Sequence, residues 1–287
     1  MKMMKMRKIN EFIGFMLVRL ATGIILLTLF LILYFITIRG IKVVNWQFLT
    51  QMPRSGMTAG GILPAILGTF YLVICAICFA LPLGIAAAIY LTEYADQGRL
   101  VRIIRIGINN LAGVPSVVFG LFGLTVFVKF FNFGISILSG GLTLGILILP
   151  IIIRSSEEAL LVVPQSFREA SLALGATKWQ TIRKIVLPCA ISGILTGSIL
   201  GIGRAAGETA PILFTAVTFY SMRLPTSIFS EVQALPYHIY ALMTEGTHPE
   251  AQVPIAYGTA LVLLLLVLGI DSIAIIMRNQ FRRKKKW

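Results

Sequence analysis

Two side chains of opposite charge, Arg204 and Glu208, lie in an otherwise apolar and glycine-rich segment, SGILTGSILGIGRAAGETAPILF. Because they are four residues apart, a helix places them one turn apart on the same side. A charge at the centre of a membrane helix costs about 2.5–3.5 kcal/mol, and ionisable residues that face an internal cavity usually mark a substrate path. We therefore predict that the two residues line a substrate path; the alternative is a structural pair that neutralises itself.

Helices that cross a membrane must position this pair. The 287 residues are 57% hydrophobic and 13% charged, whereas a soluble domain carries roughly 25% charged residues. A membrane span needs about 20 predominantly apolar residues. The apolar runs therefore predict an all-α integral membrane protein with six transmembrane helices, near Leu20–Ile38, Ile62–Tyr90, Val114–Phe131, Leu138–Ile153, Ile191–Val217 and Tyr257–Met277.

The positive charge predicts the orientation of these helices. With the N-terminus in the cytoplasm, 18 of the 25 Lys and Arg residues fall in inside segments and 5 in outside segments. This asymmetry satisfies the positive-inside rule, so we predict a multi-pass membrane protein with both termini in the cytoplasm. Topology and contact with membrane lipid then account for the net charge of +14, and nucleic acid is not an expected partner.

The spans also predict the domain organisation. Residues 1–61 hold an N-terminal transmembrane helix and an outside loop, and residues 62–287 hold a core of five helices. A polar segment, residues 154–188, separates the fourth and fifth spans on the inside face.

Several polar residues outside the pair receive plainer interpretations. Arg99, Arg102 and Arg105 recur at helical spacing in an inside segment, and we expect them to contact lipid headgroups, with a specific partner as the alternative. Asp271 lies near the inner end of the last span, seven residues before Arg278. Local pairing or reach toward the interface explains it, so it is left out of the substrate path.

No residues suggest catalysis or metal binding. His238 and His248 are ten residues apart with no third ligand at metal spacing, so we expect solvated loop histidines. The sequence contains no catalytic triad, phosphate-cradling loop or zinc motif. We therefore expect a chain that is not an enzyme and that itself binds no metal or cofactor.

The polar segment has its own helical pattern, which stops at Gly175. Glycine at a helix end allows the left-handed conformation that turns the chain sharply. We predict two short helices joined at Gly175, with an apolar side formed by Leu172, Ile182 and Ile185 that faces a partner. The alternative is an amphipathic segment that rests on lipid headgroups.

Three glycines precede the charged pair at every fourth position, Gly193, Gly197 and Gly201. Small residues at this spacing form a helix face that another membrane helix can approach closely. We therefore predict a helix-packing face just before Arg204.

The polar segment contains Glu169-Ala170-Ser171, three residues, Gly175, nine residues, and then Ile185-x-Leu187-Pro188. This spacing resembles the EAA loop of permease subunits in binding-protein-dependent ABC importers, with Ser171 where alanine is usual. The resemblance implies the type I ABC importer permease fold, and a cytoplasmic coupling helix that docks on a dimer of ATPase subunits. It also implies that ATP and Mg are bound by the partner ATPase and not by this chain.

Within that family, GRAAGETAPILF and the upstream PQSFREASLALGATKWQTI resemble the A-type permease subunits of bacterial phosphate importers, from about Gly60 to the C-terminus. The resemblance implies import of inorganic phosphate across a bacterial cell membrane. It further implies a sister permease subunit of the C type, an ATPase subunit dimer and an extracytoplasmic phosphate-binding protein. Arg204 would then offset the desolvation of the phosphate dianion, and Glu208 would accept the proton of hydrogen phosphate, which disfavours sulfate.

Three other functions remain open. A permease for another oxyanion, such as phosphonate, sulfate or molybdate, would carry the same EAA loop. An ion-coupled secondary transporter could also place an Arg–Glu pair midway across the membrane, but it would require an internal repeat and would leave the coupling loop unexplained. A membrane-bound sensor without transport is a weaker third possibility.

Overall fold

The computed structural model of the chain describes residues 2–96, 98–218 and 224–283. Most of them are helical, and a short hairpin pairs β1 (Pro53–Arg54) with β2 (Ala59–Gly60). The helices are α1 (Lys2–Gly40), α2 (Trp46–Thr50), α3 (Leu63–Ile89), α4 (Arg99–Ala112), α5 (Ser116–Gly123), α6 (Ile137–Leu161), α7 (Gln165–Ala173), α8 (Lys178–Thr181), α9 (Leu187–Gly207), α10 (Ala210–Leu213), α11 (Leu235–Thr244) and α12 (Pro249–Arg283). A 3₁₀ turn (Ser55–Met57) lies in the hairpin, and three π-helical turns extend α3 (Tyr90–Tyr94), extend α5 (Leu124–Phe130) and join α8 to α9 (Ile182–Val186).

The described residues include five helical stretches long and apolar enough to span a membrane. They are Glu11–Gly40, Leu63–Tyr94, Ile137–Leu161, Lys178–Gly207 and Pro249–Gln280. A sixth candidate combines α4 with α5 and its π-helical turn, which meet at a bend of 101°. The all-α membrane fold predicted from the sequence is confirmed, with the third span in a bent form.

The third span is short because of that bend. α5 and its π-helical turn have eight and seven residues, which rise about 22 Å at 1.5 Å per residue. The hydrocarbon core of a bilayer is about 30 Å thick. α4 turns away instead of completing the span, and it exposes apolar side chains such as Leu100 and Ile103 beside the exposed Arg99 and Arg102. This combination is typical of a helix that lies in the membrane interface.

Two predicted span ends differ from the structure. α6 continues past Ile153 to Leu161, because Glu157 and Leu160 are buried on its last turns. The first residues of the polar segment therefore belong to a membrane helix. The fifth span does not run unbroken to Val217, since α9 ends at Gly207.

The packed core of the molecule brings α3, α6 and α9 together. A Cβ atom built on Gly193 would lie 2.5 Å from Cβ of Ala159, and one built on Gly197 would lie 1.6 Å from Oγ of Ser155. At Gly201 the nearest atom of α6 would lie 3.5 Å away, an ordinary contact distance. The glycine face of α9 thus points at α6, and its first two glycines allow the close approach.

α1 lies largely outside this core. Its apolar side chains from Phe12 to Ile38 are mostly exposed, as expected of a helix surrounded by lipid. It meets α12 at its C-terminal end, where Gly40 fits against Tyr257 and Leu261.

The expectation of a headgroup contact is wrong for Arg105. Its Nε donates to Oε1 of Glu157 at 3.2 Å, and its Nη2 donates to the carbonyl of Leu91 at 3.2 Å. The Glu157 side chain is almost fully buried. Arg105 therefore ties α4 to α6 and to the end of α3, a tertiary contact that helical spacing alone does not reveal.

The expectation of a solvated His238 is also wrong. His238 is buried on α11, where its Nδ1 lies 3.3 Å from Oγ1 of Thr259. Burial lowers the pKa of His238 to about 4, so the ring is neutral at pH 7. His248 is exposed. Across the described ranges, no three His, Cys, Asp or Glu side chains lie together as a metal site would require.

Candidate functional site: a broken membrane helix and a hinge between two short helices

The charged pair lies at a break in a membrane helix. α9 ends at Gly207, Glu208 has extended backbone angles (φ −75°, ψ 131°), and the chain resumes as the short α10. Pro211 comes four residues after Gly207, and a proline ring inside a helix clashes with the carbonyl four positions before it. The sequence Gly-Glu-Thr-Ala-Pro therefore ends α9 at Gly207, directly before the residue that carries the acid.

The irregular chain beyond the break is buried and has backbone partners. Thr215 and Ala216 have no exposed surface. The Thr215 carbonyl accepts from the amide of Ser136 at 3.0 Å, and the Ala216 carbonyl accepts from the amide of Val232 at 3.1 Å. Non-helical backbone is tolerated at membrane depth where it is buried in protein or lines a cavity. The segment after Glu208 meets that condition.

Arg204 and Glu208 contact each other across the end of α9. Nε of Arg204 donates to Oε1 of Glu208 at 3.3 Å, and the two side chains are 36% and 17% exposed. Among the described residues, Nη1 and Nη2 of Arg204 have no hydrogen-bond acceptor. Their N–H groups form an edge of the guanidinium that can bind two oxygens of one oxyanion.

The helix end makes the acid dependent on the arginine. The C-terminus of a helix carries partial negative charge, which favours a cation such as Arg204 and disfavours an anion such as Glu208. Glu208 also lies in a narrow cleft whose other walls are Thr69, Leu72, Leu144, Ala205, Ala206, Ile212, Ala234 and Pro236. Apart from one hydroxyl these side chains are apolar, so the positive charge that compensates Glu208 comes from Arg204.

Asp271 lies against α9, a contact that its place in the sequence does not indicate. A Cβ atom built on Gly203 would be 3.5 Å from Oδ2 of Asp271, which places the carboxylate against α9. Its Oδ1 is buried and has no hydrogen-bond partner in the part of the chain that the structure describes. Arg278 donates instead to Oγ1 of Thr196 at 3.5 Å. The expected pairing of Asp271 with Arg278 is therefore wrong.

The polar segment turns at Gly175, as the sequence predicts, and this turn at Gly175 is called the hinge below. α7 ends at Ala173, and Gly175 adopts the left-handed conformation with φ +82°. The amide of Gly175 donates to the Leu172 carbonyl at 2.9 Å, and the amide of Ala176 donates to the Ser171 carbonyl at 3.2 Å. These two bonds are the pattern of a Schellman cap, which satisfies carbonyls that a helix end leaves free.

The second helix starts immediately after this hinge. Oγ1 of Thr177 accepts from the Gln180 amide at 3.2 Å, and the Gln180 side chain accepts from the Thr177 amide at 2.8 Å, which is a capping box. Oγ of Ser171 lies 2.8 Å from Oγ1 of Thr181, so the hydroxyl that departs from the usual alanine ties α7 to α8. From Lys178 the helix continues for 30 residues to the end of α9. The hinge and Arg204 thus belong to one continuous element.

Exposed apolar side chains surround the hinge. Leu172, Leu174 and Trp179 face outward, and Leu174 is 88% exposed. Ile182 is fully buried and Ile185 is half-buried, so the predicted partner-facing side is wrong at Ile182. Exposed apolar patches commonly mark sites of protein association. Sequence reasoning missed Leu174 and Trp179, although their position within about one turn of the hinge was a usable signal.

The remaining motif residues lie on both sides of the hinge. Glu169 and Ala170 are exposed on α7, while Ser171 is buried against α8. Leu187 and Pro188 are half-buried where α9 begins. A cleft of about 560 Å³ lies between α7, α8 and the π-helical turn after α3. In its wall Arg168 of α7 pairs with Glu93, a residue that the sequence analysis does not single out.

Comparison with known proteins identifies close relatives. A family described as "Binding-protein-dependent transport system inner membrane component" matches residues 80–286. The probable ABC transporter permease protein YqgI of Bacillus subtilis (strain 168) is 34% identical over 273 residues, covering 91% of this chain and 92% of that protein. The phosphate transport system permease protein PstA 1 of Mycobacterium tuberculosis (strain ATCC 25618 / H37Rv) is 39% identical over 230 residues, covering 79% and 73%.

The fold also has a counterpart among solved structures. A chain of the inward-facing MetNI methionine ABC transporter has a TM-score of 0.59 and 17% sequence identity, covering 77% of this chain and 97% of that chain. At this level of identity the likeness establishes the architecture alone.

Proposed function

This chain belongs to the family of binding-protein-dependent transport system inner membrane components, and from that premise we propose that it conducts inorganic phosphate. As a member it is a membrane-embedded permease subunit that works with an ATPase and a substrate-binding protein, and the family resemblance noted in its sequence is confirmed. The relative from Mycobacterium tuberculosis, a phosphate transport permease, is 39% identical, which supports phosphate as the solute.

The observation that carries the proposal is the free guanidinium edge at the break in α9. Nη1 and Nη2 of Arg204 can hold two phosphate oxygens, while Nε stays bonded to Glu208. The Glu208 carboxylate can in turn accept the proton that hydrogen phosphate retains. Arg204 thus compensates the negative charge of the phosphate. Glu208 holds Arg204 in place and favours a ligand that still carries a proton.

Discontinuous membrane helices offer a second line of support. In many transporters the substrate binds where a helix is broken, because side chains and backbone groups at the break face the path. Arg204 lies 16 residues beyond Pro188, about 24 Å along the helix. With Pro188 near the membrane surface, as the proposal places it, this position lies within a hydrocarbon core of about 30 Å.

In this proposal the hinge connects the permease to the partner subunits that hydrolyse ATP. Leu172, Leu174 and Trp179 form the surface that docks on a dimer of ATPase subunits of the phosphate importer, and those subunits bind ATP and Mg. Closure of the ATPase dimer moves α7 and α8, and the continuous helix that starts at α8 carries the movement to Arg204. A sister permease of the C type completes the path, and an extracytoplasmic phosphate-binding protein delivers the solute.

The proposal also requires one orientation of the chain in the membrane. The hinge and both termini lie in the cytoplasm, in agreement with the excess of Lys and Arg in the inside segments. The break at Glu208 and the segment before α11 then lie toward the outside.

The test is transport by the complete complex in vesicles. The chain, its sister permease, the ATPase and the binding protein are reconstituted, and uptake of radioactive phosphate is measured with ATP or a non-hydrolysable analogue inside. We expect ATP-dependent uptake of phosphate that excess sulfate, molybdate or phosphonate does not reduce. Uptake of one of those anions in place of phosphate would assign the permease to another oxyanion, and uptake driven by an ion gradient without ATP would contradict the family mechanism.

A further inference from the structure

Arg168 makes a dense set of contacts directly beside the hinge. Its Nη2 lies 2.7 Å from Oε1 of Glu93, and its Nε donates to both carboxylate oxygens at 3.1 and 3.3 Å. Nη1 donates to the carbonyl of Val163 at 2.6 Å, and Nη2 also donates to that of Leu160 at 2.9 Å. The two side chains are 13% and 8% exposed. One guanidinium therefore joins α7, the end of α6 and the π-helical turn after α3.

This ion pair joins two parts of the chain that are far apart in the sequence. Glu93 lies 75 residues before Arg168 in the chain, and it is on the last turn of the helix that begins with α3. Arg168 directly precedes Glu169, the first residue of the spacing that resembles the EAA loop. Arg168 therefore connects α7 to the last turn of that helix, in addition to the contact between α7 and α8.

The opposite half of α3 lies at the candidate substrate path. Thr69 and Leu72 form part of the cleft beside Glu208. Oγ1 of Thr69 also accepts from the amide of Leu235 at 2.8 Å, which fixes that half of α3 to the first residue of α11. α3 and its π-helical turn form one helical stretch of 32 residues from Leu63 to Tyr94, with the hinge at one end and the path near the other.

We propose that the Arg168–Glu93 ion pair is a second mechanical link between the docked ATPase and the substrate path, in parallel with the continuous helix α8–α9. Arg168 is a positioning residue: it transmits the movement of α7 to α3, whose Thr69 and Leu72 then shift beside Glu208. The inference rests on the proposed function of the hinge as the ATPase docking element. The further claim is that ATP hydrolysis moves phosphate only when the movement of the hinge reaches both α3 and α9, the two helices that line the path.

Chemistry distinguishes this link from simple stabilisation. Removing one charge leaves the other buried and unpaired, which destabilises a protein strongly, whereas replacing both partners by apolar side chains of similar volume is often tolerated. The Glu93→Gln, Arg168→Gln double variant leaves neither charge unpaired, so we expect it to keep the fold but to lose the charge-assisted link. A purely structural pair would leave transport intact in that variant.

The experiment measures phosphate taken up per ATP hydrolysed in the reconstituted complex. For the Glu93→Gln, Arg168→Gln variant we expect normal co-purification of the ATPase but a ratio about tenfold below wild type, within the usual range of coupling between sites. The exposed pair Arg154–Glu158 on α6, with 3.9 Å between Nη2 and Oε1, provides the control. Its Arg154→Gln, Glu158→Gln variant should keep the wild-type ratio.

A wild-type ratio in the Glu93→Gln, Arg168→Gln variant overturns the proposal. Should that variant fail to assemble, the Glu93→Met, Arg168→Met pair replaces it, and failure of both to assemble also overturns the proposal because the pair then serves folding. The proposed function is judged separately. If the wild-type complex hydrolyses ATP but takes up another anion, phosphate is wrong, whereas the ratio for that anion still tests the link.

Discussion

Arg204 and Glu208 lie on the two sides of the point where α9 ends, and one hydrogen bond of 3.3 Å between Nε and Oε1 joins them. The arginine is on the last helical turn and the acid is on the first extended residue. The bond therefore uses Nε of the guanidinium and leaves Nη1 and Nη2 without an acceptor among the described residues. In the proposed function these two groups bind phosphate, which gives a reason for two charges in an apolar helix.

Arg204→Lys should abolish most transport while leaving the complex assembled. A lysine keeps the positive charge but cannot bond Glu208 and two ligand oxygens with one planar group. Loss of one hydrogen bond to a charged group is worth about 1.5–3 kcal/mol, so uptake should fall about 10- to 150-fold. The measurement is phosphate uptake in vesicles, with ATPase co-purification checked in parallel. Arg154→Lys on α6 is the matched control, and uptake at wild-type level in Arg204→Lys would remove Arg204 from the path.

Glu208→Gln should weaken discrimination against sulfate more than it weakens phosphate uptake. The carboxylate accepts the proton of hydrogen phosphate, whereas sulfate has no proton at neutral pH, so its oxygens would face the carboxylate oxygens with no hydrogen bond between them. A glutamine can donate to either anion, so the preference for phosphate should fall by about tenfold or more, because sites built around one hydrogen bond reject ligands that lack it. Competition between labelled phosphate and unlabelled sulfate measures the preference. An unchanged preference would mean that Glu208 only holds Arg204 in place.

Local patterns in the sequence predict much of this site. The spacing of Arg204 and Glu208 predicts their contact, and the glycine at position 175 predicts the hinge, because both depend on the geometry of one helix or one turn. The break in α9 was missed although its signal was present: Pro211 cannot belong to a helix that includes the carbonyl of Gly207. The long apolar run instead favoured an unbroken span from Ile191 to Val217.

Contacts between distant parts of the chain could not be predicted in this way. Arg168 and Arg105 look like ordinary surface charges in the sequence, yet each pairs with a buried glutamate on another helix, at 2.7 and 3.2 Å. Burial of His238 likewise depends on how α11 packs against α12. These outcomes follow from tertiary packing, which a single sequence read by periodicity does not specify.

Gly175→Pro should prevent the ATPase from docking. Proline fixes φ near −65°, whereas Gly175 has φ +82°, and proline also lacks the N–H that donates to the Leu172 carbonyl. The hinge must then open, and the exposed Leu174 loses its position. Asparagine tolerates the left-handed conformation better than most residues, so Gly175→Asn should retain docking. Co-purification of the ATPase with each variant in detergent is the measurement, and full retention by Gly175→Pro contradicts the role of the hinge.

Gly197→Ala should destabilise the membrane core, whereas Gly201→Ala should not. A Cβ atom at position 197 would lie 1.6 Å from Oγ and 2.3 Å from Cβ of Ser155, but at position 201 the nearest atom is 3.5 Å away. Overpacking of this kind costs about 1–3 kcal/mol, since α6 and α9 must separate. The measurement is the temperature at which the detergent-purified complex loses its monodisperse elution peak, compared among wild type and the two variants. Ser155→Gly removes the opposing atoms, so the Gly197→Ala, Ser155→Gly double variant should recover most of the loss. Equal effects of Gly197→Ala and Gly201→Ala would show that the close approach at Ser155 does not limit how α6 and α9 pack.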